Sequence, residues 1–442
     1  MKSYDISAQL EKIKAADLYE YAGKVTKVIG LTVECLGLNA KMGDICKLFT
    51  GNNGEYILAE VVGFKEKTAL LMPLGELSGV GPNNYVISTN EPLMVPVGAS
   101  FLGRVIDAFA DPIDGLGPAV PEAHYTISNA PPNPLGRKRI KEVLPLGVRA
   151  IDSLLTIGKG QRIGIFAGSG VGKSTLMGMI ARNTTADINV IVLVGERGRE
   201  VRDFLEKDLK EEGLKRSIVI VATSDQPALV RLKSASVGTS IAEYFRDQGY
   251  DVLLMMDSLT RFAMAQREIG MAIGEPPVSR GYTPSVYAVL PKLLERSGTA
   301  DRGSITGLYT VLVEGDDMNE PIADTVRGIL DGHIVLSRQL ANNNHYPAID
   351  VLASVSRLMP DIVHKEHYQD AGFVKTMLAT YREIQDLISI GAYKKGSNAG
   401  IDLSIDLQEP INGLLRQSVY ENNSFEDTLE RLKQIANRRE NE

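Results

Sequence analysis

Tryptophan is absent from the 442-residue sequence, cysteine occurs only twice, and basic side chains do not outnumber acidic ones. Cys35 and Cys46 do not form a CxxC pair, so we expect two small buried side chains in a reducing compartment rather than a disulfide or a metal site. The formal net charge is −7, from 48 basic and 55 acidic residues. This balance argues against a protein that coats nucleic acid or anionic lipid.

Long hydrophobic runs are also absent. No 18 consecutive apolar residues occur, so we expect no membrane-spanning helix, and residues 1–10 lack the features of a secretory signal. Hydrophobic side chains make up 44% of the sequence and charged ones 23%, which is typical of a globular enzyme. The length predicts about three domains.

The pattern of residues changes along the chain. Residues 1–19 predict an amphipathic helix that is either packed on its own domain or, as we assign it, a docking segment for a partner. Residues 20–96 contain short β-rich runs between turns, which predict a β-barrel. Residues 97–360 alternate apolar strands with helices, the pattern of a parallel sheet covered on both faces. Residues 361–442 predict a helical domain, with helices at 373–389, 412–419 and 425–437.

A glycine-rich segment follows the predicted strand 162–166 and opens a helix, as in a P-loop. In such a loop backbone N–H groups bind phosphate oxygens, Lys173 would contact the β- and γ-phosphates of ATP, and the Ser174 hydroxyl would bind Mg²⁺. The strict pattern has glycine where this chain has Ala167. The predicted nucleotide-binding residues are Ala167, Gly168, Ser169, Gly170, Val171, Gly172, Lys173, Ser174 and Thr175.

Two carboxylates follow neighbouring predicted strands. Asp257 ends an apolar run and is expected to bind Mg²⁺, although it could instead cap the next helix. Glu196 follows another strand, where it is either an acid facing the nucleotide or a solvated surface residue. His364 and His367 have metal-like spacing, but one such pair without further ligands predicts a helix surface.

Together these segments resemble the catalytic subunits of F1-type rotary ATPases. The motifs lie at residues 103–107, 112–115, 167–174, 195–197, 253–262 and 347–357. The resemblance implies an α/β fold with a RecA-like P-loop core, an N-terminal β-barrel domain and a C-terminal α-helical domain. It also implies that Glu196 activates water and that Arg197 and Arg261 lie near the γ-phosphate. Tyr346 would pack on adenine, and Arg357 would act as an arginine finger in the site of a neighbouring subunit.

Two details place the chain within this family. Glu196 is an acid where non-catalytic F1 subunits have an amide, and Arg357 is present in the same chain, so the resemblance favours a homohexameric ring. The C-terminal part lacks the acidic loop of the F1 catalytic subunit. Its sequence resembles that of the flagellar and type III secretion export ATPases, and it is most similar to the flagellar branch.

That branch implies Mg²⁺-dependent ATP hydrolysis that powers flagellar protein export, by delivering or unfolding substrates at a membrane export gate. Implied partners are further copies of the chain, a stator-like regulator, a coiled-coil stalk protein, the gate, export substrates and chaperones. The implied location is the cytoplasm, at the inner face of the membrane.

Two alternatives remain at this point. One is a virulence-type secretion ATPase. The other is a ring RNA helicase, which needs a barrel with basic residues and stacking aromatic rings. The aromatic residues of the predicted barrel are scattered in sequence, so no nucleic-acid partner is expected; they are Tyr21, Phe49, Tyr56, Phe64 and Tyr85.

Overall fold

The computed structural model describes residues 21–51, 54–313, 315 and 317–440. The predicted docking segment, residues 1–19, lies outside them. The described chain divides into two compact units with the main boundary between Leu93 and Met94. The predicted domain limits at 96/97 and 360/361 stay predictions.

The first unit is a closed barrel of six antiparallel strands. The strands are β1 (Ala22–Ile29), β2 (Thr32–Leu36), β3 (Asp44–Phe49), β4 (Tyr56–Lys65), β5 (Thr68–Pro73) and β6 (Tyr85–Pro92). Their order around the barrel is β1-β2-β5-β4-β3-β6. Alternating side chains point inward and form the barrel core, which contains Val25, Val33, Leu48, Val61, Leu71 and Val86. The predicted barrel is confirmed.

Both cysteines belong to this barrel core. Cys35 and Cys46 are free thiols with no exposed surface. Burial is the main cause that raises the pKa of Cys35 to about 12 and the pKa of Cys46 to about 11. Both thiols therefore stay protonated at neutral pH and behave as small apolar side chains, as the sequence predicts.

Strand pairing brings some of the barrel aromatics together. Phe49 and Tyr56 are directly paired in β3 and β4, and their rings meet edge to face with centroids 5.9 Å apart. Two aromatics that are scattered in sequence are therefore neighbours in the structure. Lys47 Nζ lies 5.2 Å from the Tyr56 ring centroid. A lysine thus lies over one face of the Tyr56 ring, which reduces the surface available for stacking a base.

A mainly parallel sheet forms the centre of the second unit. Its strands are β8 (Val105–Ile106), β10 (Arg162–Ala167), β11 (Ile188–Glu196), β12 (Ser217–Thr223), β13 (Asp251–Asp257), β14 (Gly298–Thr299), β15 (Ser304–Leu312), β16 (Gly332–Leu336) and β17 (Val355–Ser356). The order is β17-β16-β10-β15-β13-β11-β12-β8, with β14 paired to β15. Strands β14 and β17 are antiparallel to their neighbours. Two further strands, β7 (Met94–Val97) and β9 (Ala123–Thr126), form a small separate sheet.

Helices cover the central sheet, as its apolar strands require. In the core they are α1 (Arg149–Leu154), α2 (Lys173–Asn183), α3 (Gly198–Asp203), α4 (Lys210–Leu214), α5 (Ala228–Asp247), α6 (Leu259–Ala272), α7 (Pro284–Leu294), α8 (Pro321–Ile329), α9 (Arg338–Asn342) and α10 (Met359–Ile362). A π-helical turn, Phe204–Leu209, joins α3 to α4 and packs against α2. Short 3₁₀ turns lie at Ala99–Phe101 and Asn437–Glu440.

Three helices end the chain: α11 (Lys365–Ser389), α12 (Ala399–Leu415) and α13 (Phe425–Ala436). The prediction of a helix at 412–419 is wrong, because α12 begins earlier and ends at Leu415. Asn398 caps it by accepting a hydrogen bond from Ile401 N at 3.1 Å. Pro410 lacks an N–H donor, yet the helix continues because buried Leu407 and Ile411 hold it against the core.

The histidine pair lies at the start of α11. His364 is exposed, as predicted for a helix surface, but His367 is buried and its Nε2 lies 2.8 Å from the Ser153 carbonyl oxygen. The expectation of a surface position is therefore wrong for His367, which ties α11 to α1. Among the residues that the structure describes, no cluster of three or more metal-ligating side chains occurs. Within the same residues, no helix has the length and apolarity needed to cross a membrane.

Candidate nucleotide site

The glycine-rich segment joins strand β10 to helix α2, as predicted. Gly170 and Gly172 have φ angles of 77° and 89°, in the left-handed region that glycine adopts without strain. Lys173 is the first residue of α2, so the loop ends at a helix N-terminus, where backbone N–H groups favour bound phosphate. Ser174 is exposed in the first turn of this helix.

Parallel pairing places the acidic ends of two strands beside this loop. Strand β13 pairs with β11, so that Asp257 is level with Leu193, three residues before Glu196. The Lys173 ammonium contacts Asp257 Oδ1 directly and lies 3.9 Å from Glu196 Oε1. Asp257 is only 4% exposed. One cation and two carboxylates therefore meet at the C-terminal edge of the sheet.

Burial changes the acidity of Glu196. Removal from water is the largest cause that raises the pKa of this carboxyl to about 7, followed by the charge of Asp257 and a hydrogen bond with Glu200. The charges of Lys173 and Arg261 act in the opposite direction. The same hydrogen bond lowers the pKa of Glu200. Glu196 can therefore gain and lose a proton near neutral pH, which is a property of general bases in enzymes.

The two arginines predicted beside the γ-phosphate occupy different environments. A Cβ atom built on Gly195 would lie 3.3 Å from Arg261 Cβ, so Arg261 lies against the residue before Glu196. The Arg197 side chain is 76% exposed, and its Nη1 is 3.7 Å from Glu200 Oε1. The structure thus brings Arg261 to the acidic cluster and leaves Arg197 at the surface.

Tyr346 lies next to the end of the P-loop. A Cβ atom built on Gly172 would be 3.6 Å from the Tyr346 ring. The tyrosine is 41% exposed, so one part of the ring remains open to solvent. This position, beside a phosphate-binding loop and partly open, suits a ring that packs on a nucleotide base.

Arg357 lies at the opposite end of the sheet. In strand β16, Leu336 is level with Ala167 of the P-loop. Asp331 precedes Leu336 by five residues, and its carbonyl oxygen accepts a hydrogen bond from Arg357 N at 3.0 Å. Five residues of strand span about 16 Å. Arg357 is exposed, and its Nη2 donates to the Arg327 carbonyl oxygen at 3.3 Å. The structure therefore separates Arg357 from the P-loop of its own chain.

Three residues of this region were missed by the sequence interpretation. Thr310 Oγ1 donates to Asp257 Oδ1 at 2.7 Å, across 53 positions in sequence. Asp208, in the π-helical turn, is hydrogen bonded to the side chain of Thr175. Both depend on long-range packing that no local pattern indicates. Glu200 lies in the first turn of α3, four residues after Glu196 at the end of β11, and this closeness in sequence could have identified it.

The donor set suits magnesium. Mg²⁺ in nucleotide sites is commonly held by one or two protein oxygens, with water and substrate phosphates completing its coordination. Asp257 offers a carboxylate, and Ser174 offers an exposed hydroxyl. Asp257 Oδ1 already contacts the cationic Lys173, which indicates an anionic environment that a cation stabilises. Both residues therefore fit the predicted metal.

The fold and the site together define a P-loop nucleotide-binding protein, and sequence comparison gives its family. Residues 147–356 match the nucleotide-binding domain of the ATP synthase alpha/beta family, and residues 25–90 match the β-barrel domain of that family. Residues 363–434 match the T3SS EscN ATPase C-terminal domain. The chain belongs to the ATP synthase alpha/beta family, within its flagellar and type III secretion branch.

Individual relatives agree with this assignment. The chain is 56% identical to the flagellum-specific ATP synthase of Bacillus subtilis (strain 168), over 98% of this chain and 99% of the relative. It is 52% identical to the type 3 secretion system ATPase of Xanthomonas euvesicatoria, over 94% of each. The predicted resemblance is confirmed.

Solved structures extend the comparison to the fold. The assembled ATPase EscN from the type III secretion system of enteropathogenic E. coli superposes with a TM-score of 0.89 at 45% identity. This match covers 94% of the present chain and 100% of that chain. A second structure of EscN, in complex with its central stalk EscO, has a TM-score of 0.87 at 44% identity, with the same coverage. The predicted fold class is confirmed.

Proposed function

We propose that this chain hydrolyses ATP in an Mg²⁺-dependent reaction that powers flagellar protein export, delivering or unfolding substrates at the membrane export gate. The observation that supports it most directly is the meeting of Lys173, Asp257 and Glu196 at the P-loop. The 56% identity to a flagellum-specific relative supports the choice of branch.

Each residue of the cluster has a distinct task in this proposal. The N–H groups of residues 168–172 and the Lys173 ammonium bind the phosphate chain and compensate its charge. Ser174 and Asp257 hold Mg²⁺, which when bound neutralises charge that develops on the phosphates. The deprotonated Glu196 accepts a hydrogen bond from the attacking water and orients it toward phosphorus.

The arginines act on charge that develops during the reaction. Arg261, which lies against Gly195, would face the γ-phosphate from within the chain. Arg197 would need to turn from its exposed position to do the same. Arg357 would reach the nucleotide of the neighbouring subunit as an arginine finger. Tyr346 would pack on the adenine ring.

The proposed assembly is a homohexameric ring, and the separation of these groups supports it. A P-loop at one end of the sheet and an arginine at the other complete each other when copies associate head to tail. The similarity to assembled EscN supports this arrangement. The similarity to EscN bound to EscO supports a coiled-coil stalk partner for this chain.

The remaining partners follow from the branch. They are a stator-like regulator, the export gate, export substrates and chaperones, which together place the chain in the cytoplasm at the inner face of the membrane. Residues 1–19 would bind the regulator. Nucleic acid is not among the proposed partners, because the barrel aromatics are scattered in sequence and the chain has a formal net charge of −7.

A virulence-type secretion system is the second candidate. It is favoured by the match of residues 363–434 to the EscN C-terminal domain and by the 52% identity to the Xanthomonas protein. In both candidates the chain hydrolyses ATP at the same site. They differ in the proteins that are exported.

Complementation of a strain that lacks the chain tests the proposal. We expect the wild-type gene to restore secretion of hook and filament proteins, and Glu196→Gln to restore neither secretion nor ATP hydrolysis by the purified protein. Glu206→Gln is the matched control, since the Glu206 side chain is 57% exposed and pairs with Arg202 on the surface. Secretion of needle proteins instead of flagellar ones would favour the second candidate. Full flagellar secretion with a hydrolytically inactive chain would contradict the proposal.

A further inference from the structure

The loop between α12 and α13, residues 416–424, returns from the C-terminal helices to the nucleotide site; we call it the C-terminal strap. Arg182 Nη2, near the end of α2, donates to the Val419 carbonyl oxygen at 2.7 Å. Lys210 Nζ lies 3.8 Å from the ring centroid of Tyr420. The strap is therefore fixed against the P-loop helix and against the residue that follows the π-helical turn.

Gln417 makes the bonds of the strap that lie nearest to the nucleotide site. Its backbone N donates to the Tyr346 carbonyl oxygen at 3.0 Å. Its side-chain Nε2 donates to the carbonyl oxygens of Gly147 at 2.9 Å and Glu421 at 3.0 Å, and its Oε1 accepts from Arg149 N at 2.8 Å. Gln417 is only 5% exposed. Both N–H donors of this buried amide are used, so its orientation is fixed.

The partners of Gln417 are themselves immobile. Gly147 has a φ of 70°, and a Cβ atom built on it would lie 2.3 Å from Asn183 Cβ, so this loop presses on the last residue of α2. Arg149 is 3% exposed, and its Nε donates to the Leu414 carbonyl oxygen at 3.0 Å. The side chain of Gln417 thus connects the strap to rigid backbone beneath the P-loop helix.

We infer that Gln417 is a positioning residue for Tyr346, and through it for the base of the bound nucleotide. The inference rests on the proposed function, in which Tyr346 packs on adenine. The bond to the Tyr346 carbonyl comes from the backbone of Gln417, but the side-chain amide determines where that backbone N–H lies. Loss of the amide frees the Gln417 segment of the strap, although Val419 and Tyr420 keep their contacts, so the Gln417 N–H is no longer held against the Tyr346 carbonyl. The effect falls on binding of the base, because the side-chain bonds of Gln417 reach the loop before α1, the first residue of α1 and the strap, and not the P-loop itself.

Gln417→Met tests this role, because methionine has a similar length and fills the site without hydrogen bonds. We expect KM for ATP to rise about tenfold, as for loss of about one to two buried hydrogen bonds, while kcat changes less than about twofold. Binding of inorganic tripolyphosphate, which has no base, stays unchanged. Gln434→Met is the control, since Gln434 is exposed on α13. Equal weakening of ATP and tripolyphosphate would mean a merely structural role and would overturn the inference.

A double-mutant cycle with Tyr346→Ala separates this inference from the proposed function. If Gln417 acts through Tyr346, adding Gln417→Met to Tyr346→Ala weakens ATP binding by no more than about twofold further. Fully additive effects overturn the inference while the role of Tyr346 stands. If Tyr346→Ala alone leaves ATP affinity intact, the base-packing role fails and the inference fails with it. Gln417→Glu, which keeps an acceptor for Arg149 N but cannot donate, serves where the methionine variant does not fold.

Discussion

The two ends of the central sheet differ in how their charges are arranged. At the nucleotide end, Lys173 and Glu196 each expose 12% of their side chains and lie beside the buried Asp257. At the other end, Arg357 is exposed, and its backbone N–H is held by the Asp331 carbonyl. Burial changes the chemistry of the first group, whereas exposure leaves Arg357 available for contact with another molecule.

In the proposed function, the difference means that neither end forms a complete site alone. The nucleotide end has the phosphate-binding loop and a carboxylate with a pKa of about 7. The opposite end has the cation that phosphoryl transfer commonly needs in addition. Because about 16 Å of strand separates Arg357 from the P-loop level, we propose that the two ends meet between copies of the chain.

The largest effect at the nucleotide end is expected from Glu196→Gln. The amide keeps the shape of the side chain but cannot take a proton or polarise water as a carboxylate does. We expect kcat for ATP hydrolysis to fall on the order of 10³-fold, within the range for loss of an acid–base group, while ATP affinity stays within about threefold. Steady-state turnover and binding of a fluorescent ATP analogue measure the two quantities. Turnover near that of the wild type would remove Glu196 from the mechanism. The nucleotide end would then have no advantage over the arginine end as the source of the reactive acid.

A pH profile would sharpen the comparison, because only the nucleotide end contains the shifted carboxyl. The pKa of Glu196 is raised, so the carboxylate that orients water is lost as pH falls below about 7. We expect kcat/KM to fall about tenfold per pH unit below that value. Arg357→Ala should retain this dependence at a lower rate, and Glu196→Gln should lose it. A wild-type profile that is flat between about pH 6 and 8 would contradict the assignment of Glu196 as the base.

The nucleotide end was more predictable from sequence than the rest, for a physical reason. The P-loop pattern, Asp257 and Glu196 all lie at strand ends, and parallel strands present those ends at one edge. The contacts of Thr310 and Asp208 depend on register and packing between segments distant in sequence. Gln417 was not predicted at all, because its partners lie about 70 and 270 positions away.

Other parts of the fold show the same limit. The start of α12 was predicted too late. The helix continues through Pro410 because tertiary packing overrides the preference of proline against a helix interior. His367 was assigned to a helix surface because one HxxH pair lacks further ligands, yet the Ser153 carbonyl satisfies it in the interior. Such contacts depend on how helices pack against one another, which local pattern does not specify.

A smaller effect is expected from Asp331→Asn at the arginine end. The Asp331 carboxylate pairs with Arg162 at 3.0 Å, and its side chain is 26% exposed. We expect a loss of about 1 kcal/mol in the free energy of unfolding, since partly exposed ion pairs contribute little, and a reduction of turnover by less than about fivefold. Denaturant titration and steady-state kinetics measure these changes. A loss of turnover as large as that of Arg357→Ala would mean that the Asp331 carboxylate contributes to catalysis, as the buried groups of the nucleotide end do.

Mixing two inactive variants tests the central claim that the two ends meet between subunits. Lys173→Ala loses its own P-loop contact but keeps Arg357, whereas Arg357→Ala, expected to be slower on the order of 10³-fold, keeps a sound P-loop. Random head-to-tail assembly of equal amounts gives about a quarter of interfaces with both groups intact. We therefore predict that ATP hydrolysis returns to roughly a quarter of the wild-type rate when rings exchange subunits. If subunit exchange is demonstrated by energy transfer between labelled chains and no activity returns, Arg357 does not act across the interface.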